Sequence, residues 1–116
     1  MAHAFDAQRV GLGLVLFLLV APAGIAAEEP DEAQLELGKN VFVEVAEPQC
    51  GLCHTLADAE AEGTIAPSLD DLQPTRERVQ AALRSAPGVM PPYGDILSDD
   101  EIEAVSAYVA SVAGQP

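Results

Sequence analysis

Cys50, Cys53 and His54 stand within five consecutive positions, and the first two are the only cysteines of the chain. Two thiols and an imidazole at this spacing have four common chemistries in proteins. They can close a disulfide, act as a thiol redox pair, bind zinc, or attach a haem covalently. The other residues of the chain favour these four chemistries to different degrees.

Three of the four chemistries find little support. A disulfide between Cys50 and Cys53 would close so short a loop that it would remove little entropy from the unfolded chain. A thioredoxin-like pair requires a βαβ setting, and no strand-like alternation surrounds Cys50. A closed zinc site needs four ligands, usually Cys or His. Beyond residue 26 the chain has no Cys or His other than these three, so zinc would also need a carboxylate.

Covalent haem attachment gives each residue of Cys-x-x-Cys-His a separate role. The thiols of Cys50 and Cys53 would form thioethers to the porphyrin, and His54 would bind the iron. Methionine is a frequent second iron ligand in electron carriers, and Met90 is the only methionine besides the initiator. A lone methionine can also fill a core, but the flanking Gly and Pro residues keep Met90 out of a regular helix. We therefore predict one haem c, with His54 and Met90 as its iron ligands.

The net charge of the chain is −14, with 19 acidic and 5 basic residues. Nucleic acids and anionic lipids are improbable partners, because their phosphates require a basic face. The charge is typical either of a solubilising surface or of steering toward redox proteins with a basic docking surface. We interpret the carboxylates as solvated groups rather than paired acid–base catalysts. No catalytic residue is predicted, and the chain is expected to be an electron carrier without its own substrate turnover.

Residues 1–26 have the pattern of a secretory signal sequence, with Arg9, then the apolar run Val10–Ala21, then small residues. We predict a cut after Ala26 and a periplasmic location. Alternatively, residues 10–27 remain as a membrane anchor, although this length is at the short edge of a bilayer span. Residues 27–34 then form a short lead, and residues 35–116 form one domain.

Three helices are predicted from apolar residues that recur at helical spacing. The first follows the N-cap Asp31 and ends before Pro48, the second covers about residues 76–85, and the last begins at Ser98 with a capping box to Glu101. Residues 57–64 predict a loop or a short helical turn. The apolar stripe of the first helix is Leu35, Gly38, Val41, Phe42 and Val45, and that of the last helix is Ile102, Val105, Tyr108, Val109 and Val112.

Three motifs give the chain a family resemblance over about residues 35–112. It resembles a class I cytochrome c of the small bacterial monohaem kind. The motifs are residues 50–54, then Ala66-Pro67-Ser68-Leu69, then Met90-Pro91, in the family's order. The resemblance implies an all-α fold of three to four helices packed around one covalently bound haem. It also implies that the Pro67 carbonyl accepts a hydrogen bond from the His54 ring and that Leu69 packs against the haem.

The resemblance also implies contacts and departures outside the motifs. A glycine and an aromatic residue of the first helix should meet an aromatic residue of the last helix. The residues that match this contact are Gly38, Phe42, Val105 and Tyr108. Phe42 and Cys50 are about one helical turn further apart than the family pattern, so the first helix or its exit should be extended. Tyr93 matches an aromatic residue that is frequent at this position in the family. Packing of the loop and tuning of the redox group are both open as its role.

We hypothesise an exported carrier of single electrons in a respiratory or dehydrogenase pathway. An electron-accepting cytochrome subunit of a larger oxidoreductase is the alternative. A haem enzyme or gas sensor is a third hypothesis, and it requires that Met90 does not bind the iron.

Overall fold

A computed structural model describes residues 11, 13, 15–22, 24 and 28–116. Arg9 and the predicted cut after Ala26 lie outside the described residues. No helix within the described ranges has the length and apolar character needed to cross a bilayer. Within residues 28–116, four α-helices and two short strands follow one another as α1 Glu32–Asn40, β1 Thr55–Leu56, β2 Ala61–Glu62, α2 Leu69–Leu72, α3 Arg76–Ser85 and α4 Asp99–Val112. The predicted helical fold class is thus confirmed.

Helix α1 begins as predicted but ends in a π-helical turn. The Asp31 side chain accepts a hydrogen bond from Gln34 N at 2.8 Å, which caps the helix start. Residues 41–45 then form a π-helical turn, closed by Ala46 N donating to Val41 O at 3.0 Å. This turn, followed by bends at residues 46–48, is the extended exit that the spacing to Cys50 predicts.

The π-helical turn corrects one predicted buried position. Val45 was expected on the apolar stripe, but its side chain is 37% exposed and Ala46 is fully buried instead. A π turn contains one more residue than an α-helical turn, so the inward-facing position moves by one along the chain. The prediction for Val45 is therefore wrong, because it assumed a uniform helical period.

Helices α1 and α4 cross with their backbones in contact. A Cβ atom on Gly38 would lie 2.1 Å from the Ala104 carbonyl oxygen and 2.6 Å from Tyr108 Cβ. Beside this contact the Phe42 and Tyr108 rings pack edge to face, with centroids 6.1 Å apart. The predicted close crossing is confirmed, and it outweighs the propensity cost of a mid-helix glycine.

Helices α3 and α4 have the predicted starts. Thr75 Oγ1 accepts from Arg78 N at 3.2 Å at the start of α3. Ser98 and Glu101 form the complete capping box of α4, with hydrogen bonds of 2.9 and 3.2 Å. Helix α4 packs against both α1 and α3 and contributes much of the core. The buried core residues are Val41, Phe42, Ala46, Leu56, Leu69, Leu83, Tyr93, Leu97, Ile102, Ala104, Val105, Ala107, Tyr108, Val109 and Ala113.

Residues 55–72 contain regular structure that the sequence analysis missed. Strands β1 and β2 pair antiparallel around a 3₁₀ turn at residues 57–59, and Ser68 caps the single-turn helix α2. The prediction of a short helical turn holds for residues 57–59 only. Two-residue strands and a four-residue helix are too short to produce a recognisable period, so sequence periodicity could not reveal them.

Asp58 ties the 3₁₀ turn to helices α1 and α4. Its carboxylate accepts from the Tyr108 hydroxyl at 2.5 Å and from Lys39 Nζ at 3.2 Å. The hydrogen bond from Tyr108 lowers the pKa of Asp58, partial burial opposes it, and the Lys39 ammonium lowers it further. Burial, followed by the Asp58 carboxylate, raises the pKa of Tyr108. This carboxylate is therefore a structural tie and not merely a solvated group.

We predict that Gly38→Ala lowers the free energy of unfolding by about 3 kcal/mol, because the new methyl group would collide with the α4 backbone. Chemical denaturation measures this change. Gly94→Ala is the matched control, since its Cβ would meet only ordinary contacts of 3.6 Å or more to Arg84. Equal stability of the two variants would contradict the close crossing.

We predict that Asp58→Asn destabilises the protein by about 1 kcal/mol at neutral pH, since the ion pair and a charged hydrogen bond are lost at a half-exposed site. The folded pKa of Asp58 lies below its ordinary value of 3.8. The stabilisation is therefore fully present above that value and disappears as the pH falls through the folded pKa. Denaturation across pH measures it, with Glu60→Gln as the control for loss of charge. A pH-independent difference would show that the carboxylate charge contributes nothing.

Candidate functional site

The Cys-x-x-Cys-His motif folds as a single tight turn. Residues 50–52 form a 3₁₀ turn, and Cys50 O accepts from both Cys53 N at 3.2 Å and His54 N at 3.0 Å. This hydrogen bonding brings the two cysteines and the histidine onto one turn of chain. Both thiols are free and half-buried. Burial, chiefly, raises the pKa of the Cys50 thiol to about 11, with a smaller contribution from Cys53.

The imidazole of His54 has a defined tautomer. His54 Nδ1 lies 2.7 Å from the Pro67 carbonyl oxygen. A carbonyl oxygen can only accept, so Nδ1 carries the proton and donates it. In the neutral imidazole, Nε2 then holds the lone pair, which is the form that binds a metal. The structure thus contains the contact that the resemblance implies between His54 and Pro67.

The segment after the hairpin packs directly against the motif. Ala66 N donates to Cys53 O at 2.9 Å, and Thr55 Oγ1 donates to Gly63 O at 2.8 Å. A Cβ atom on Gly63 would lie 2.5 Å from the Cys53 carbonyl carbon and 2.7 Å from Gly51 O. Only glycine allows this approach. The sequence analysis missed Gly63, although a lone glycine in a polar loop is a recognised signal of close backbone contact.

Met90 lies in a turn between α3 and α4, where Met90 N donates to Pro87 O at 3.1 Å. Its side chain is half-buried against the core, whereas Leu69 belongs to the core itself. Tyr93 is buried, and its hydroxyl donates to Pro48 O at 2.5 Å. This hydrogen bond holds the Met90 loop to Pro48, which lies two residues before Cys50 in the chain.

The surroundings of Tyr93 disfavour its ionised form. Burial, chiefly, with smaller contributions from Cys50 and Cys53, raises the pKa of Tyr93 to about 12. Packing therefore accounts for Tyr93 in this fold, and its influence on a redox group stays a prediction.

The donor set fits haem c better than zinc. Among the residues that the structure describes, no three Cys, His, Asp or Glu side chains converge as metal ligands. Two free thiols, an imidazole with Nε2 available and a thioether match the attachment and ligation of a c-type haem. The three most exposed large apolar residues of the range 28–116 lie within two positions of Met90, Pro67 or Cys53 in the chain. They are Val89 at 92%, Ile65 at 75% and Leu52 at 59%. A flat apolar macrocycle would cover such surface.

Comparison with known proteins agrees with this chemistry. Residues 33–109 match the family model described as cytochrome C oxidase, cbb3-type, subunit III. The fold is similar to the crystal structure of the c-type cytochrome SorU from Sinorhizobium meliloti, with a TM-score of 0.70 and 55% sequence identity. That match covers 72% of this chain and 95% of the other. No curated protein matches the chain.

We predict that Gly63→Ala reduces the fraction of chain with covalently attached haem by severalfold, because a methyl group would displace the Cys53 backbone. Mass spectrometry of the purified protein measures the attached fraction. Glu62→Ala is the control, since Glu62 is the exposed residue immediately before Gly63. Normal attachment in Gly63→Ala would mean that the segment 61–66 does not hold the motif.

Proposed function

Since this chain belongs to the cytochrome c family and binds haem c covalently, we propose that it is an exported monohaem carrier of single electrons. The haem iron supplies a one-electron couple when bound. The hydrogen-bonded turn that holds Cys50, Cys53 and His54, with Pro67 orienting the imidazole, is the observation that carries this proposal. Family membership implies electron transfer with redox protein partners, and the pathway and mode of action are our inference.

Each proposed site residue has one role. Cys50 and Cys53 would hold the macrocycle through two thioethers, and His54 Nε2 and the Met90 sulfur would bind the iron. Leu69, which belongs to the core, would supply an apolar wall. Two protein ligands would leave no position for oxygen or peroxide, so we propose no substrate turnover by the chain itself.

Pro67 orients the imidazole and tunes its electron donation. A hydrogen bond from Nδ1–H to a carbonyl gives the ring more negative character, which strengthens its donation through Nε2. Proline has no backbone N–H, so the carbonyl is the only hydrogen-bonding group that Pro67 offers to the site. The short 2.7 Å contact would keep the ring in one orientation during electron transfer.

The surface charge supports a partner with a basic docking surface. Residues 28–116 contain four basic side chains, and three of them form ion pairs within the chain. These pairs are Lys39–Asp58, Arg76–Glu103 and Arg84–Asp99. Most of the remaining charge is therefore uncompensated and negative, and it would steer a basic partner at low ionic strength. An electron-transfer rate that does not fall with added salt would exclude this steering.

Export and domain organisation are part of the proposal. We propose that residues 1–26 direct the chain to the periplasm, that residues 27–34 form a lead, and that residues 35–116 carry the haem. The signal pattern of Arg9 and the apolar run supports this assignment. Retention of residues 10–27 would instead anchor the domain to the membrane. Mass spectrometry of the mature chain from the periplasm distinguishes a cut after Ala26 from an intact leader.

An electron-accepting subunit of a larger oxidoreductase is the second candidate function. It is favoured by the matching family model, whose description names a subunit of an oxidase. A carrier would elute from gel filtration as a free small protein, whereas a subunit would co-elute with a stable complex. Gel filtration of native material therefore separates the two.

We predict that the wild-type protein keeps its colour after acid–acetone treatment and does not bind carbon monoxide at neutral pH when reduced. Met90→Ala should bind carbon monoxide, because removal of the thioether opens one coordination position. Visible spectra measure both properties, and Val89→Ala is the control from the same loop. Loss of colour would exclude thioether attachment. Carbon monoxide binding by the wild type would favour an open-iron enzyme or gas sensor over a carrier.

A further inference from the structure

Three hydrogen bonds join the motif segment to the segment that contains Pro67, and each connects residues 13 positions apart. They run from Ala66 N to Cys53 O (2.9 Å), from His54 Nδ1 to Pro67 O (2.7 Å) and from Ala57 N to Asp70 Oδ2 (2.8 Å). The two segments are therefore held in one register. We call this set the three-bond ladder. The bond from His54 is its middle rung.

Asp70 connects the ladder to the last helix. While Asp70 Oδ2 accepts from Ala57 N, its Oδ1 accepts from Gly114 N at 2.9 Å, just beyond the end of α4. Both carboxylate oxygens are therefore used by backbone donors from different parts of the chain. An asparagine side chain has a single acceptor oxygen and could not satisfy both.

We propose that Asp70 is a positioning residue for the His54 imidazole. This inference rests on the proposed electron-carrier function. Asp70 lies three residues after Pro67, and its partner Ala57 lies three residues after His54. The rung at Ala57 and Asp70 thus fixes the separation of the two segments on one side of the imidazole bond.

The outer rungs together keep the imidazole bond closed. The Cys53–Ala66 rung lies on one side of the His54–Pro67 bond, and the Asp70 rung lies on the other. Without the Asp70 rung, the middle bond is held from one side only, so it opens more often. A weaker bond from Nδ1–H reduces electron donation by the ring, which raises the reduction potential of the iron.

Two variants weaken or remove the Asp70 rung by different means. Asp70→Asn preserves the shape of the side chain and removes one acceptor together with the charge. Ala57→Pro removes the N–H donor without any change of charge, and the preceding Leu56, with φ −152° and ψ 108°, already has the extended backbone that precedes proline. Asp71→Asn is the matched control, because it removes the same charge from an exposed neighbour.

The experiment measures two properties of the holoprotein. Proton NMR gives the solvent-exchange rate of the His54 Nδ1–H, and a redox titration gives the reduction potential. We expect about fivefold faster exchange in Asp70→Asn and in Ala57→Pro than in wild type, equivalent to the loss of one hydrogen bond. The potential should rise in Ala57→Pro, and it should rise more in Asp70→Asn than in Asp71→Asn.

The proposal is overturned if Asp70→Asn behaves as Asp71→Asn and Ala57→Pro behaves as wild type. Either rung variant can decide the matter if the other does not mature. Failure of the proposed function has a separate signature, because wild type would then lack a reversible one-electron couple. A normal couple with unchanged exchange rates would reject the positioning role alone.

Discussion

The contact between the α1 and α4 backbones at Gly38 is the constraint on which the other parts of the structure depend. It places Phe42 against Tyr108, and the Tyr108 hydroxyl reaches the carboxylate of Asp58. Asp58 lies in the 3₁₀ turn that begins three residues after His54. The helix crossing is therefore linked to the haem motif by two contacts. These are the packing of Phe42 on Tyr108 and the hydrogen bond from Tyr108 to Asp58. Small domains with thin cores rely on few such contacts, so each carries a large share of the stability.

Local hydrogen bonds, rather than a deep core, shape the motif itself. Its residues lie on a 3₁₀ turn, and its ladder partners come from a segment without long regular elements. Carboxylates complete this arrangement, since Asp58 and Asp70 each accept from donors in separate parts of the chain. The carboxylates of the protein therefore fall into two groups. Some hold the loops around the site, while others contribute to the uncompensated negative charge of the chain.

Helix starts and the chemistry of the motif were predictable because they depend on short-range patterns. Asp31, Thr75 and Ser98 cap their helices with side-chain oxygens, and this requires only the next three residues. The buried position at Ala46 was not predictable from a uniform period, because the π turn arises where the chain must lead into the motif. Gly63 was missed for a related reason, since its partner is the backbone of Cys53 and not a neighbour in sequence.

The sequence by itself determined the covalent chemistry of this protein, because the two thiols and the adjoining imidazole are defined by residue type and spacing. It also determined the helical class and the crossing of the first and last helices at a glycine. Only the tertiary structure decided how the imidazole is oriented and what holds it. Those contacts join residues 13 or more positions apart, and no local pattern specifies which backbone carbonyl or carboxylate a distant segment will bring within hydrogen-bond distance.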